Sequence, residues 1–354
     1  MRRLTVITII AALFMMTACS PAGSNPPQTT IVQTPQEKVP QAPAATPEPS
    51  DTGRQEALKP NPGDSFSFVM MADSRGSDSG INSKIVKKTM ERIKLLSPQP
   101  AFAFMPGDLV DGAKSYTGVK SQLEYFKKTI TAYYPESFFY PGLGNHETSN
   151  GSGGEKAFAE VFPAIKATSF LEGYGKTVYY LDCGKFRLFM LNTDYPKELH
   201  KVSDKQLNWV KANLNTTGGN LFFLHEPPYP TGANIGFSLD KNPLQRAKLW
   251  DLIDSAVNPM VFCSHEHNYT RRHIDSTFNT TIGKTTFKFD KSVYQLTSGG
   301  FGAPFYKQFE SKKNVDVPPI VENNFLVVDV NGTEITVKAY NLEGKLLDSF
   351  SQTG

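Results

Sequence analysis

The sequence has little cysteine and little net charge, and each shortage excludes a class of protein. Three cysteines in 354 residues, without zinc-type spacing, exclude a disulfide-rich fold and a zinc-finger module. Lysine and arginine exceed aspartate and glutamate by 37 − 34 = 3, so there is no basic excess of the kind that nucleic-acid-binding surfaces carry. We therefore predict no nucleic-acid-binding surface, and no pattern indicates a protein partner.

Aromatic residues are almost absent from the first 65 positions, which contain only Phe14 of the 41 in the chain. Residues 20–63 also hold ten of the 25 prolines, a composition typical of an extended linker that cannot form a core. We predict a proline-rich disordered tether at residues 19–63 and one folded domain at residues 64–354.

The N-terminus has the pattern of an export signal. Met1-Arg2-Arg3 precedes an apolar run at residues 4–16, which as a helix would reach about 20 Å and fall short of the roughly 30 Å bilayer core. We predict a signal peptide at residues 1–18. Met16-Thr17-Ala18-Cys19 resembles the lipobox of bacterial lipoproteins, although Met16 replaces the usual leucine.

The lipobox resemblance implies acylation of Cys19 and attachment to the periplasmic or cell-surface side of a bacterial membrane. The alternative is a plain secretory signal cut near Ala18, and both alternatives place the protein outside the cytoplasm. The other two cysteines, Cys183 and Cys263, lie in apolar strand-like runs, so we predict buried thiols, with a disulfide as the alternative.

From residue 66 onward, apolar strand-like runs alternate with helical patterns, and the last part of the chain is rich in strands. Asn331-Gly332 is a hairpin turn signal in that last part. This order predicts an α/β layered domain whose apolar strands are covered on both faces. In such sheets, polar residues just after strand ends gather at one edge.

The polar residues at these predicted strand ends are the types that bind metals. They are Asp73, Asp108, Asn145-His146-Glu147, His225 and His265-Glu266-His267. Singly, each has an ordinary structural explanation, such as a turn aspartate or a hydrogen-bonded core histidine. Together, oxygen and nitrogen donors at one edge favour divalent ions of intermediate hardness, namely Mn²⁺, Fe or Zn²⁺.

Four motifs in this order resemble those of the calcineurin-like metallophosphoesterase superfamily. The motifs are Gly107-Asp108, Gly144-Asn145-His146-Glu147, Leu224-His225-Glu226-Pro227-Pro228-Tyr229 and His265-Glu266-His267. Two further segments, His267-Asn268-Tyr269 and Thr297-Ser298-Gly299-Gly300, are similar to the purple-acid-phosphatase-like branch. The resemblance covers about residues 66–345 and implies a four-layer αββα sandwich of two mixed β-sheets flanked by helices, with a dinuclear metal centre.

The resemblance also implies roles for individual residues. Asp108 would bridge two ions; Asn145, His225 and His265 would complete one, and Asp73 and His267 the other. His146 would assist the leaving oxygen, Glu147 would orient His146, and Glu266 would support the site from behind or lie at the surface.

The first motif departs from the family pattern, Asp-x-His, because this chain has Asp73-Ser74-Arg75. A guanidinium has no lone pair to give to a metal. Three outcomes are open: a weaker first ion, Arg75 as a clamp for phosphate oxygens, or a site that only binds ligands.

The sequence thus predicts a metal-dependent phosphoric ester hydrolase, with a phosphomonoesterase as the first choice. A metal-bound hydroxide would be the nucleophile at a centre of two ions, or of one if the change at Arg75 removes the other. The alternatives are a phosphodiesterase or nucleotidase, with Phe301, Phe305, Tyr306 or Tyr195 holding a base, and a non-catalytic ligand-binding lipoprotein.

Overall fold

The computed structural model describes residues 65–148, 151 and 153–354. The predicted signal peptide, the tether and the acylation site at Cys19 lie outside the described residues and stay predictions. Within the described ranges, no helix is both long enough and apolar enough to cross a membrane.

The described residues form short strands and helices in alternation. The strands are β1 (Ser65–Met70), β2 (Arg75–Asp78), β3 (Phe102–Met105), β4 (Phe139–Pro141), β5 (Ser169–Phe170), β6 (Tyr179–Cys183), β7 (Phe186–Met190), β8 (Asn220–Phe223), β9 (Pro259–Cys263), β10 (Tyr269–Ile274), β11 (Thr280–Ile282), β12 (Thr285–Phe287), β13 (Val293–Ser298), β14 (Val315–Ile320), β15 (Asn324–Asn331), β16 (Glu334–Asn341) and β17 (Leu346–Thr353). The helices are α1 (Ser83–Lys94), α2 (Tyr116–Ile130), α3 (Asn145–Thr148), α4 (Gly154–Val161), α5 (Asp204–Ala212) and α6 (Pro243–Ser255).

Local sequence explains where the longer helices begin. The side chains of Asn82, Ser115 and Ser203 accept hydrogen bonds from backbone amides in the first turns of α1, α2 and α5. These are the residue types that satisfy the otherwise free amides of a helix N-terminus. Helix α6 starts at Pro243, whose fixed φ suits the first helical position.

Two mixed sheets contain most of the strands. The six-stranded sheet has the order β17-β16-β15-β1-β3-β4, with β1, β3 and β4 parallel and the others antiparallel. The eight-stranded sheet has the order β14-β10-β13-β9-β8-β7-β6-β5, with β7, β8, β9 and β13 parallel. The parallel strands form one side of the six-stranded sheet, with β4 at its edge, and the centre of the eight-stranded sheet. Polar residues follow their carboxyl ends.

The two sheets pack face to face through aromatic rings. Phe104 of the first sheet stacks on Phe223 of the second, with ring centroids 4.1 Å apart and planes 8° from parallel. Side chains alternate between faces along a strand, so Phe222 points the other way, into a second core with Trp250 of α6 and Val210 of α5. Residues of α1 and α2 pack on the first sheet. The result is the predicted four-layer αββα sandwich, which is confirmed.

Strand β10 escapes prediction from hydrophobicity because its residues are largely polar. In β10 the side chain of Arg272 is buried, and its guanidinium donates to the carbonyls of Tyr229, at 3.0 Å, and Lys313, at 2.6 Å. These carbonyls satisfy the buried guanidinium, so Arg272 occupies an interior position where hydrophobic patterning would expect an apolar side chain. Cys183 and Cys263 are both buried and unpaired, as predicted.

Candidate metal centre

The site forms where parallel strands of both sheets end at the same edge of the sandwich. Asp73 follows β1, Asp108 follows β3, and Asn145 follows β4 in the first sheet. His225 follows β8, and His265 and His267 follow β9 in the second sheet. The structure brings together all six predicted metal ligands, with Arg75 and His146 beside them.

Three of these ligands have a backbone conformation that side chains other than glycine rarely adopt. The φ angles of Asp73, Asp108 and His265 are 64°, 48° and 68°, in the left-handed region. Such residues cost of order 1–3 kcal/mol each and are typical of functional sites. A β-carbon at Gly144 would lie 2.4 Å from Asp108 Oδ1, so this glycine is needed for the close approach of the two loops.

The first group of donors consists of Asp108, Asn145, His225 and His265. His225 Nε2 lies 3.0 Å from Asn145 Oδ1 and 3.1 Å from His265 Nδ1. It also lies 3.3 Å from Asp108 Oδ1. Four donor atoms therefore converge from four loops on one point.

The far side of each imidazole is held by a second partner. His225 Nδ1 is 2.9 Å from the hydroxyl of Ser264, which itself donates to the His225 carbonyl and therefore accepts from the ring. His265 Nε2 donates to the carbonyl of Phe237 at 3.1 Å. Each ring thus carries its proton on the outer nitrogen and turns a lone pair inward, the tautomer that a metal ligand needs.

The second group contains Asp73, Asp108 and His267, whose donor atoms lie within 4.8 Å of one another. His267 Nδ1 donates to the carbonyl of Pro304, which leaves Nε2 facing Asp73 Oδ1 at 3.5 Å. Asp73 Oδ1 is buried and has no hydrogen-bond partner among the described residues. Asp108 belongs to both groups, as a bridging carboxylate would.

Arg75 lies beside the second group, at the position where the family pattern has histidine. Its Nε is 3.9 Å from Asp108 Oδ2, and its Nη1 is 3.6 Å from Asp111 Oδ1. Its Nη2 donates to the hydroxyl of Tyr306 at 3.1 Å, and the Tyr306 ring stacks on His267 with centroids 4.3 Å apart. The guanidinium therefore faces the metal centre without being a metal ligand. Tyr306, which accepts its hydrogen bond, also stacks on the predicted ligand His267.

His146 is the most exposed histidine of the site, with a quarter of its side chain accessible. Its Nδ1 lies 2.8 Å from the carbonyl of Asp111, so Nδ1 carries a proton and donates there. Its Nε2 is 3.9 Å from Asp108 Oδ2 and faces the centre. A proton on Nε2 would therefore be presented to a group bound between His146 and the metals.

Two of the three glutamates in these motifs, Glu147 and Glu266, accept hydrogen bonds mainly from backbone amides. Glu147 is buried and accepts from the amides of Gly144, Asp108 and Val110, at 2.8, 3.1 and 2.9 Å. Its predicted role in orienting His146 stays a prediction, and the His146 imidazole donates to the Asp111 carbonyl. Glu266 is also buried and accepts from Thr231 and Gly232, so it supports the second sheet's loops from behind.

The electrostatics of the site favour a cation. Burial alone would raise the pKa of Asp108, but the nearby His225, His146 and His265 reverse this and hold it below its ordinary value. Burial, with the adjacent His225, holds the pKa of His265 well below its ordinary value, so its imidazole is neutral. A neutral imidazole and an ionised carboxylate are the forms that bind metals.

These observations fit a divalent metal. Inward lone pairs on His225 and His265, 3.1 Å apart, repel each other and the Asp108 carboxylate unless a cation lies between them. In the second group, the buried Asp73 Oδ1 has no hydrogen-bond partner among the described residues and likewise requires a cation. Sequence reasoning missed the outer partners, because two of them, at Phe237 and Pro304, are backbone carbonyls that carry no side-chain signal.

Comparisons with known proteins agree with this geometry. The model of the family "calcineurin-like phosphoesterase" matches residues 77–269, more than half of the chain. No curated protein sequence is significantly similar. Among solved structures, a purple acid phosphatase, PPD1, from yellow lupin (Lupinus luteus) seeds is similar, with a TM-score of 0.62 and 17% identity over 82% of this chain.

Two further structures share the fold. PhoD has a TM-score of 0.57 and 10% identity, over 82% of this chain and 73% of its own. GAP50, the anchor in the inner membrane complex of Plasmodium, has a TM-score of 0.53 and 13% identity, over 82% of this chain and 89% of its own. The chain spans about half the length of the lupin phosphatase, 54%. The family match and the converging carboxylates and imidazoles lead to one conclusion: this chain belongs to the calcineurin-like phosphoesterase family.

Proposed function

We propose that the protein hydrolyses phosphoric esters, and phosphomonoesters in particular, with the help of divalent metal ions. The observation that carries the proposal is the set of inward lone pairs of His225, His265 and His267 around the carboxylate of Asp108. Asn145, His225, His265 and Asp108 would hold one ion, and Asp73, Asp108 and His267 a second. When bound, Mn²⁺, Fe or Zn²⁺ would supply an activated water and neutralise phosphoryl charge.

The chain's own residues would bind the substrate and manage its leaving group. The Arg75 guanidinium would pair with phosphoryl oxygens, because its planar fork matches two such oxygens and its Nε has no hydrogen-bond partner among the described residues. The Tyr306 hydroxyl keeps the fork in place. This favours Arg75 as a phosphate clamp over a mere substitute for the missing histidine.

His146 would donate a proton to the leaving alcohol. The Asp111 carbonyl fixes the ring through Nδ1 and leaves Nε2 facing the centre. In its protonated form the ring holds a second proton on Nε2, which the departing oxygen would take up.

We also propose that the enzyme acts outside the cytoplasm, attached through a lipid on Cys19 to the outer side of a bacterial membrane. The support is the lipobox-like Met16-Thr17-Ala18-Cys19 after the apolar run at residues 4–16. The tether at residues 19–63 would then hold the catalytic domain away from the membrane.

A phosphodiesterase or nucleotidase is the second candidate. It would need an accessible aromatic side chain near the site to stack on a base. Of the aromatics suggested for holding a base, Phe301 is fully buried and Tyr195 bonds the Gly173 carbonyl. Tyr306 lies beside Arg75, and Phe305, the residue before it, is 38% exposed. These two aromatics are the ones that would contact a nucleoside held at the phosphate clamp.

The test is turnover of a chromogenic phosphomonoester and of the matching diester by the full chain, with Mn²⁺, Zn²⁺ or Fe²⁺ and with a chelator. Turnover that requires metal and is lost in Asp108→Asn would support the proposal. Asp204→Asn, an exposed aspartate bonded to Lys248, is the control that should keep activity. Absence of turnover with every metal, in protein that still binds phosphate, would favour the non-catalytic ligand-binding lipoprotein instead.

A further inference from the structure

A second cluster of potential ligands lies next to the metal centre and shares no residue with it. It consists of Asp194, His200 and Glu226, whose donor atoms lie within 4.8 Å of one another. Asp194 follows β7, Glu226 follows β8, and His200 lies in the loop between β7 and α5. None of the roles proposed above uses these three side chains.

Both carboxylates of the cluster are fully buried and incompletely partnered. Glu226 Oε1 is 2.6 Å from His200 Nδ1, and Asp194 Oδ2 accepts from the Thr193 hydroxyl at 2.6 Å. The other oxygens, Asp194 Oδ1 and Glu226 Oε2, have no hydrogen-bond partner among the described residues. Buried carboxylate oxygens without a donor are costly, so they require a proton or a cation between them.

The imidazole of the cluster is placed in advance by its backbone. His200 has a φ of 57°, a left-handed conformation that is rare for histidine, and its carbonyl accepts from Asn242 Nδ2 at 2.8 Å. Its side chain is 20% exposed, so the cluster can be reached from solvent. Burial lowers the pKa of His200, which keeps the ring in its neutral, metal-binding form.

Charge explains why the two carboxylates need a partner. Asp194 and Glu226 are buried side by side, so their negative charges repel each other in surroundings that screen them little. A cation between the two carboxylates would compensate both charges.

We propose that Asp194, His200 and Glu226 form a separate divalent-cation site, for Zn²⁺ or Mn²⁺. Two carboxylates and one imidazole are a donor set for ions of intermediate hardness, and two negative charges match one dication. The ion would tie the loop that contains His200 to the ends of β7 and β8. The site stands apart from the proposed catalysis, since neither the clamp at Arg75 nor the centre at Asp108 is needed to form it.

The test counts metal ions in the full-length protein after chelation and dialysis against Zn²⁺ or Mn²⁺. His200→Ala and Asp194→Asn should each bind about one equivalent less than the wild type. His273→Ala is the matched control, because His273 is also a partly exposed histidine beside a carboxylate, that of Asp316 at 3.0 Å, and it should leave the count unchanged. Equal counts in the wild type and His200→Ala would overturn the proposal.

A second arm separates this site from the metal centre and from a shared proton. In Asp108→Asn/His265→Ala, about one equivalent should remain bound and should be lost when His200→Ala is added. If the two carboxylates merely share a proton, Asp194→Asn supplies an amide donor in its place. Its melting temperature would then equal or exceed that of the wild type in chelator and in metal alike, which would contradict the proposal.

Discussion

Arg75 is the residue at which this site differs from the Asp-x-His pattern that the motifs resemble. Its guanidinium reaches towards Asp108 and Asp111 and is oriented by the Tyr306 hydroxyl. Arginine keeps its charge at all working pH values and cannot ligate a metal. The position therefore contributes fixed positive charge and directional hydrogen bonds, where a histidine would contribute a lone pair.

Replacing Arg75 should weaken substrate binding more than it slows turnover. We expect Arg75→Ala to raise the KM for a phosphomonoester about 10- to 100-fold, because hydrogen bonds to a charged group contribute about 1.5–3 kcal/mol. Tyr306→Phe, which only frees the guanidinium, should raise the KM about 2- to 5-fold. Steady-state kinetics at saturating metal measure both. An unchanged KM with a weaker metal affinity would instead mean that Arg75 serves the metal.

The ligands could be predicted from the sequence because strand ends and motifs coincide there. Asp108, His225 and His265 each follow an apolar run that forms a central parallel strand. The amides that donate to Glu147 could not be predicted, since two of them, at Asp108 and Val110, lie in another loop that only the fold brings close. Asp194 had a usable signal, as it too follows an apolar strand, but it belongs to none of the motifs.

At the scale of elements, the site depends on how the loop after β3 and the loop after β4 are joined. The Glu147 carboxylate links them, accepting from Asp108 and Val110 in one loop and from Gly144 in the other. One buried carboxylate thus fixes the backbone beneath the bridging Asp108. A side chain with one acceptor oxygen cannot satisfy all three amides.

Glu147→Gln should therefore lower the free energy of unfolding by about 1–3 kcal/mol, the cost of a buried polar group left without its partner. Chemical denaturation in the presence of chelator measures this without the contribution of metal. Glu160→Gln is the control: Glu160 pairs with Lys120 at the surface, at 2.8 Å, and its loss should cost less than about 1 kcal/mol. Equal losses in the two variants would argue against the linking role.

Element prediction succeeded for apolar strands and failed for polar ones. The runs that form β3, β8 and β9 are fully buried and were readable from hydrophobicity alone. Strand β10 was not, because Arg272 enters the interior with backbone carbonyls as partners. Hydrophobic periodicity contains no information about such long-range hydrogen bonds.

At the scale of the whole molecule, both thiols of the folded domain lie inside the sandwich. Cys183 faces the core between the sheets and Cys263 the core beneath the helices. Burial raises the pKa of Cys183 to about 12 and that of Cys263 well above its ordinary value. The thiolate, the reactive form, is correspondingly scarce at neutral pH.

The full chain with Cys19→Ser should therefore show no thiol reactivity at pH 8 until it unfolds. A rise in pKa from 9.0 to about 12 lowers the thiolate fraction of Cys183 about a thousandfold, and burial blocks the reagent as well. Titration with a disulfide reagent, before and after denaturation, measures the change. Rapid reaction of two thiols in the native protein would contradict it.

The proposed anchor predicts where the whole molecule is found. Wild-type protein made in bacteria should partition into the detergent phase and take up labelled fatty acid, whereas Cys19→Ser should do neither, because it lacks the acylated thiol. Cys183→Ser is the control and should behave as the wild type. A wild-type protein that stays in the aqueous phase would instead indicate a plain secretory signal.

The division of the ligands between the sheets has a consequence for metal starvation. Asp73, Asp108 and Asn145 come from one sheet, and His225, His265 and His267 from the other. A cation held by both would cross-link the two halves of the sandwich, and at a hundred times its dissociation constant it would add about 2.7 kcal/mol to stability. In an organism deprived of the metal, the domain would therefore be less stable and more easily degraded, as well as inactive.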